Sequence, residues 1–185
     1  MKATLPLTVT SLILALVCQA ETCHEVVRDA SGRIVQTVET RKQAGGAVQS
    51  VTRDASGRIT GTAISRPVAG GSTTQTEYRD ARGRLAGSAV TRNTSAGSSR
   101  TTYRDASGRL AGSADTRAGT GAMSRTQFRD ASGRLTGNST TGGNSGGSFT
   151  ATNRDASGRL TGSNSGSKNC QGTTSVPVPP PSAKK

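Results

Sequence analysis

The hexapeptide Arg-Asp-Ala-Ser-Gly-Arg begins at Arg28, Arg53, Arg104, Arg129 and Arg154, and a variant carrying Arg82 in place of Ser begins at Arg79. The starts are 25, 26, 25, 25 and 25 residues apart. A fixed short period means one supersecondary unit copied in tandem, each copy burying its surface against its neighbours. The longer unit contains Arg66-Pro67, where one additional loop residue is expected.

The motif's own chemistry specifies a turn. Asp at the start of a type I turn and Gly at its end form a favoured pair. The Asp carboxylate can accept backbone N–H groups two residues on, and Gly adopts positive φ without a Cβ penalty. The pairs are Asp29 with Gly32, Asp54 with Gly57, Asp80 with Gly83, Asp105 with Gly108, Asp130 with Gly133, and Asp155 with Gly158. Together they predict a hairpin with a bulge at glycine.

The flanks read as strands. Val51-Thr52, Glu77-Tyr78, Thr102-Tyr103 and Gln127-Phe128 precede the motif. Ile34, Ile59, Leu85, Leu110, Leu135 and Leu160 follow it. β-Branched and aromatic residues suit a pleated surface. Gly61, Gly87, Gly112, Gly137 and Gly162 recur two places further on; they either let a neighbouring aromatic lie across the backbone or mark bends. Gly-rich return segments, such as Gly45-Gly46 and Gly70-Gly71, would join one hairpin to the next. The predicted fold is all-β: an antiparallel meander of six β-hairpin repeats, about twelve strands.

The string Tyr103-Arg104-Asp105-Ala106-Ser107-Gly108-Arg109-Leu110 resembles the YD or RHS repeat, which carries Tyr-Asp, two variable residues and Gly-Arg-Leu. Tyr78–Leu85 and Phe128–Leu135 are similar. Units of that family form successive hairpins in secreted shells and surface proteins, so the resemblance implies hairpins in a bacterial exported protein. Here an Arg separates Tyr from Asp, and Val27, Thr52 and Asn153 replace the aromatic in three copies. The resemblance therefore carries no function over.

Residues 1–20 read as a signal peptide: Lys2, the apolar stretch Leu12–Val17, then Cys18-Gln19-Ala20 with small residues at the cleavage positions. The apolar run is too short to span a bilayer. The expected organisation is a leader (1–20), a six-repeat domain (21–172) and a proline-rich basic tail (173–185). Export to the periplasm or beyond would leave Cys23 and Cys170 as a disulfide candidate. In phase with the repeat, these two flank the place where a return turn would join the last unit to the first. An open meander of this size would hold its ends roughly 50 Å apart at about 4.8 Å per strand. A cystine needs Cα atoms within about 7 Å. The sulfurs thus point to a sheet closed into a barrel or ring by a terminal disulfide, in preference to an open sheet.

Composition limits the interior and the chemistry. Hydrophobic residues are 30% and aromatics 2% of the chain, so a closed ring of this size is expected to be wet inside or flattened. Two surviving thiols and the single histidine, His24, are too few for a zinc site. No Ser-His-Asp set can recur across the repeats, and arginine neighbours push the motif Asp pKa the wrong way for a general acid. No enzyme activity, metal or cofactor is expected.

Arginine is the remaining signal: 19 of the 24 basic residues are Arg, and the formal net charge is +13. Each motif places two, namely Arg28 and Arg33, Arg53 and Arg58, Arg79 and Arg84, Arg104 and Arg109, Arg129 and Arg134, Arg154 and Arg159. A second series, Arg41, Arg66, Arg92 and Arg117, recurs later in the unit. Guanidinium groups grip carboxylate, sulfate and phosphate in a bidentate way. Such ladders either bind a polyanion or pack their aliphatic stems over a sparse core. The leading expectation is a non-catalytic scaffold at the cell envelope or exterior. The alternative is a polyanion-binding protein. Candidate partners are an acidic polysaccharide, lipopolysaccharide or a surface protein; nucleic acid is disfavoured by the scarcity of aromatics for stacking.

Overall fold

The computed structural model describes residues 22–68, 70–95, 97–143 and 147–167. The leader (1–20), Cys170 and the tail (173–185) lie outside the described residues.

Every motif turns the chain in the same way. The Asp29 carbonyl accepts the Gly32 N–H at 3.0 Å, and the Asp29 N–H donates to the Arg33 carbonyl at 2.9 Å. Gly32 takes φ +83°. The same two bonds and a positive-φ glycine close the turns at Gly57, Gly83, Gly108, Gly133 and Gly158. This is the three-residue hairpin loop that the motif predicts.

Twelve strands result among the described residues: β1 (Thr22–Asp29), β2 (Ile34–Lys42), β3 (Val48–Asp54), β4 (Ile59–Pro67), β5 (Thr73–Asp80), β6 (Leu85–Ser95), β7 (Ser98–Asp105), β8 (Leu110–Ala118), β9 (Met123–Asp130), β10 (Leu135–Gly143), β11 (Ser148–Asp155) and β12 (Leu160–Ser167). A 3-10 turn, Ala44–Gly46, lies between β2 and β3. Consecutive strands pair antiparallel, and β12 pairs with β1 to close a barrel. The closing register runs from Asp29↔Gly162 to Glu25↔Gly166.

Two expectations are adjusted. The return connections pair as fully as the hairpins, with β2 on β3 from Gln36↔Asp54 to Lys42↔Val48. The architecture is thus one circuit of twelve strands, without a division into six hairpin units. Closure is seen in this backbone pairing; the proposed clasp between Cys23 and Cys170 is not shown, since Cys170 lies outside the described residues. Closure leaves no unpaired sheet edge, which removes the usual route to edge-to-edge aggregation.

The interior is built by matching large residues to small ones across strands. Tyr103 on β7 faces Ala89 on β6 and Gly112 on β8. Tyr78 lies between Ala63 and Gly87, and Phe128 between Ala114 and Gly137. These aromatics and alanines form the buried cluster, with Tyr103 1% exposed. In the first repeat, where Val27 replaces the aromatic, its neighbours are larger, Asn164 and Gln36. Cross-strand pairs of this kind are what hold a sheet together. Toward the return turns comes a layer of paired hydroxyls: Thr40 with Ser50, Ser65 with Thr76, Thr91 with Thr101, and Thr116 with Thr126, at 2.8–2.9 Å. Paired hydroxyls satisfy one another, so a chain poor in large apolar residues can still fill this space without stranded polar groups.

The recurrent glycines have a steric cause. A Cβ on Gly61, Gly87, Gly112, Gly137 or Gly162 would lie under 3.0 Å from the carbonyl oxygen of a motif arginine on the next strand. In the first repeat Gln36 occupies the equivalent place, opposite Asp54.

Candidate functional site

The motif residues are first of all turn hardware. The Asp29 Oδ1 accepts the Ser31 N–H at 2.9 Å, the Ser31 hydroxyl at 2.7 Å and the Arg33 N–H at 3.0 Å. Asp54 repeats all three with Ser56 and Arg58. Asp80, Asp105, Asp130 and Asp155 keep the two backbone bonds. Hydrogen bonds from the Ser31 and Ser56 hydroxyls, followed by the Arg33 and Arg58 N–H groups, hold the Asp29 and Asp54 carboxyls below the usual range. The Arg84 N–H does the same foremost for Asp80. The first arginine of each motif also serves the turn. Nη1 of Arg28, Arg53, Arg79, Arg104, Arg129 and Arg154 donates to the carbonyl of its turn glycine at 2.8–3.1 Å. The motif pattern alone does not announce this bond; it predicts ion pairing within the hairpin. Only Arg84 and Asp80, at 3.6 Å, form such a pair among the described motif residues.

The second arginine of each motif donates its backbone N–H to the carboxylate and leaves its guanidinium outside. Arg33, Arg58, Arg109, Arg134 and Arg159 follow this pattern. Motif arginines therefore encircle the hairpin-turn end, two in each of five repeats and three, with Arg82, in the other. Ile34, Ile59, Leu85, Leu110, Leu135 and Leu160 share this belt at 38–48% exposure. A bulge in each hairpin pairs the aliphatic residue with the first motif arginine, as Leu85 with Arg79, and so brings it to the arginine's face.

The later arginines gather elsewhere. Arg41 on β2 is engaged by Glu39 of its own strand, beside a shallow recess lined by Gln49, Val51 and Arg53. Arg66 on β4 faces Gln75. On the next strands the charges crowd: Arg92 on β6 stands directly opposite Arg100 on β7, and Arg117 on β8 directly opposite Arg125 on β9. Arg100 also faces Asp115, with Nε donating to Oδ1 at 2.6 Å. That bond raises the Arg100 pKa and depresses the Asp115 carboxyl. Arg100 and Arg125 lie outside the series that begins at Arg41, yet they are 25 residues apart and each stands four places before a motif, so their spacing was the signal that could have found this concentration.

On the adjoining strands the corresponding outer places are uncharged. Asn138, Thr140, Gly142, Thr150, Thr152, Ser163 and Ser165 occupy corresponding places on β10, β11 and β12. His24 is exposed on β1 opposite Glu39.

Inside the barrel, one polar chain crosses the closing strands. Asn153 Nδ2 donates to Asn164 Oδ1 at 2.6 Å, and Asn164 Nδ2 donates to Glu25 Oε1 at 2.7 Å. Burial raises the Glu25 pKa, against the lowering effect of the Asn164 bond. Burial likewise raises both tyrosine pKa values, with Tyr78 adding to the effect on Tyr103.

No family model matches this chain, and no curated protein matches it.

Proposed function

We propose that this protein is an exported, non-catalytic scaffold that acts at the cell envelope or exterior through its outer surface. The observation that carries the reading is the allocation of side chains. The motif Asp and first motif Arg are spent on backbone groups of their own turns in all six copies. Aromatic, alanine and hydroxyl pairs occupy the interior. The outer face also varies from repeat to repeat, and it is the surface open to a partner, where recognition would reside. The leader-like residues 1–20 and the YD-like hairpin motif fit an exported repeat protein.

A disulfide between Cys23 and Cys170 belongs to the same proposal. Cys23 is buried on β1, β1 pairs with β12, and β12 ends at Ser167, three residues before Cys170 in sequence. Mass spectrometry of the non-reduced mature protein should find a monomer with this bond; free thiols or disulfide-linked dimers would refute it. For the scaffold reading, mature protein is mixed with purified envelope fragments and sedimented. Retention in the pellet, unchanged by His24→Ala, is expected. Complete recovery in the supernatant would remove the reading.

The alternative, binding of a polyanion through arginine, is favoured by one observation. No carboxylate within 4.0 Å of the Arg92, Arg117 or Arg125 guanidinium is seen among the described residues. Acidic polysaccharide or lipopolysaccharide would be the partner. Retention on immobilised heparin that falls steeply with salt supports it; a flat salt response excludes it.

A further inference from the structure

We infer that the outer face of β6–β9 is a binding subsite for a polysaccharide carrying sulfate or phosphate esters, gripped by Arg92, Arg117 and Arg125 beside Arg100. This rests on the polyanion reading above and sharpens it, moving the contact from the evenly spread motif arginines to one side of the barrel.

The first argument is the cost of the arrangement. Like charges directly opposite across a strand pair destabilise a sheet. Here two such pairs, Arg92 with Arg100 and Arg117 with Arg125, stand on four consecutive strands. The corresponding places on β10–β12 hold Gly142, Thr150 and Ser167, so the fold does not require arginine there. The single carboxylate Asp115, bonded to Arg100 and also near Arg117, compensates only part of the charge. A ligand with repeated negative groups would relieve the rest.

The second argument is spacing. Four arginines on adjacent strands span three strand separations, about 14 Å at roughly 4.8 Å each. The guanidinium fork suits the oxygens of a sulfate or phosphate ester in two parallel bonds. An extended chain bearing such esters could meet several forks at once.

The third argument distinguishes a glycan from nucleic acid. Tyr78, Tyr103 and Phe149 are buried and Phe128 packs against the core cluster, so none of these rings is displayed for base stacking. Beside the arginines stand Gln75 and Gln127, which offer hydrogen bonds to sugar hydroxyls.

The test is titration of the mature protein with a size-defined sulfated heparin oligosaccharide, and with a phosphorylated glycan of equal charge, at several salt concentrations. The variant R92Q/R117Q/R125Q removes three charges from this face, and R33Q/R58Q/R159Q removes three from turns on the other side. The face variant is expected to lose about tenfold or more in affinity with a shallower salt slope, since fewer ion contacts are released. The turn variant should lose much less. R92K/R117K/R125K keeps the charge but not the fork, and should bind at least about threefold more weakly than the parent. Equal losses in the two triple Gln variants would overturn the inference while leaving the polyanion reading intact. No salt-dependent binding by the parent protein would overturn the reading itself. Full affinity in the Lys variant would refute the guanidinium grip. Single-stranded DNA of matched charge competing as well as the glycans would refute the choice of ligand.

Discussion

Asn164 donates a hydrogen bond to Glu25 across the closing pair of strands, Nδ2 to Oε1 at 2.7 Å. The carboxyl is held in an interior layer where other repeats place the hydroxyls of Ser50, Thr76, Thr101 and Thr126. Its pKa is raised above the ordinary 4.5, chiefly by burial. The folded state thus holds this proton more tightly than the unfolded chain does. The corresponding stability is fully present below the unfolded pKa and is lost as pH rises through the folded value. Glu25→Gln keeps an acceptor for Asn164 and removes the charge. It should be more stable than the parent at pH 8 and lose its advantage toward pH 4, as urea denaturation across that range would show. A parent protein that matches the variant at every pH would contradict this account.

Tyr103 permits a second prediction. It is 1% exposed, and its hydroxyl has no hydrogen-bond partner among the described residues. An unsatisfied buried hydroxyl carries its desolvation cost without return, so Tyr103→Phe should stabilise the barrel by about 1 kcal/mol. Tyr103→Ala, leaving a hole between Ala89 and Gly112, should destabilise it by about 3–5 kcal/mol. Denaturant midpoints of the two variants should therefore move in opposite directions.

The glycine opposite each aromatic supplies a third. A methyl group on Gly112 would collide with the Arg129 carbonyl oxygen of the adjoining strand. Gly112→Ala should cost about 1–3 kcal/mol through forced separation of β8 and β9. Gly142 has no atom within 4 Å of an added Cβ, and Gly142→Ala should stay within about 0.5 kcal/mol of the parent. Equal losses at both sites would show that backbone freedom, not close approach, accounts for the glycine at Gly112.

A fourth concerns the turns. The Asp54 carboxylate holds the N–H groups of Ser56 and Arg58. Asp54→Ala should accelerate hydrogen exchange at both amides and leave those at Ser31 and Arg33 unchanged. Because the Asp29, Asp54 and Asp80 carboxyls sit below their ordinary 3.8, their contribution is present above the unfolded pKa. It is lost as pH falls through the lower folded values. Acid melts below about pH 4 should shift accordingly, with less effect in the Asp54→Ala variant.

Much of the barrel was legible because period and turn chemistry are local properties. Asp29 and Gly32 announce a hairpin without reference to the rest of the chain, and the phases of Cys23 and Cys170 pointed to a closed circuit, which the pairing of β1 with β12 shows independently of a disulfide. Other features depend on pairing across strands. The aliphatic residues after each motif suit a strand, yet Leu85 and its counterparts are half-exposed, because a bulge sets each against an arginine. The glycine after them could be placed in the repeat, but the carbonyl it avoids belongs to the following unit. The arginine concentration was the least legible. Arg92 and Arg117 are one repeat apart, as are Arg100 and Arg125, but the two sets come from different strands and meet only through the register.

The joint between chain start and chain end keeps the offset of every other return connection. Gly162 meets Asp29 just as Gly61 meets Asp80 and Gly112 meets Asp130. By that measure the cylinder has six interchangeable gaps and no first blade: a gene rearranged to begin at Ser98 and finish at Ser95 would encode the same cycle of contacts, with the old ends spliced by a short tether.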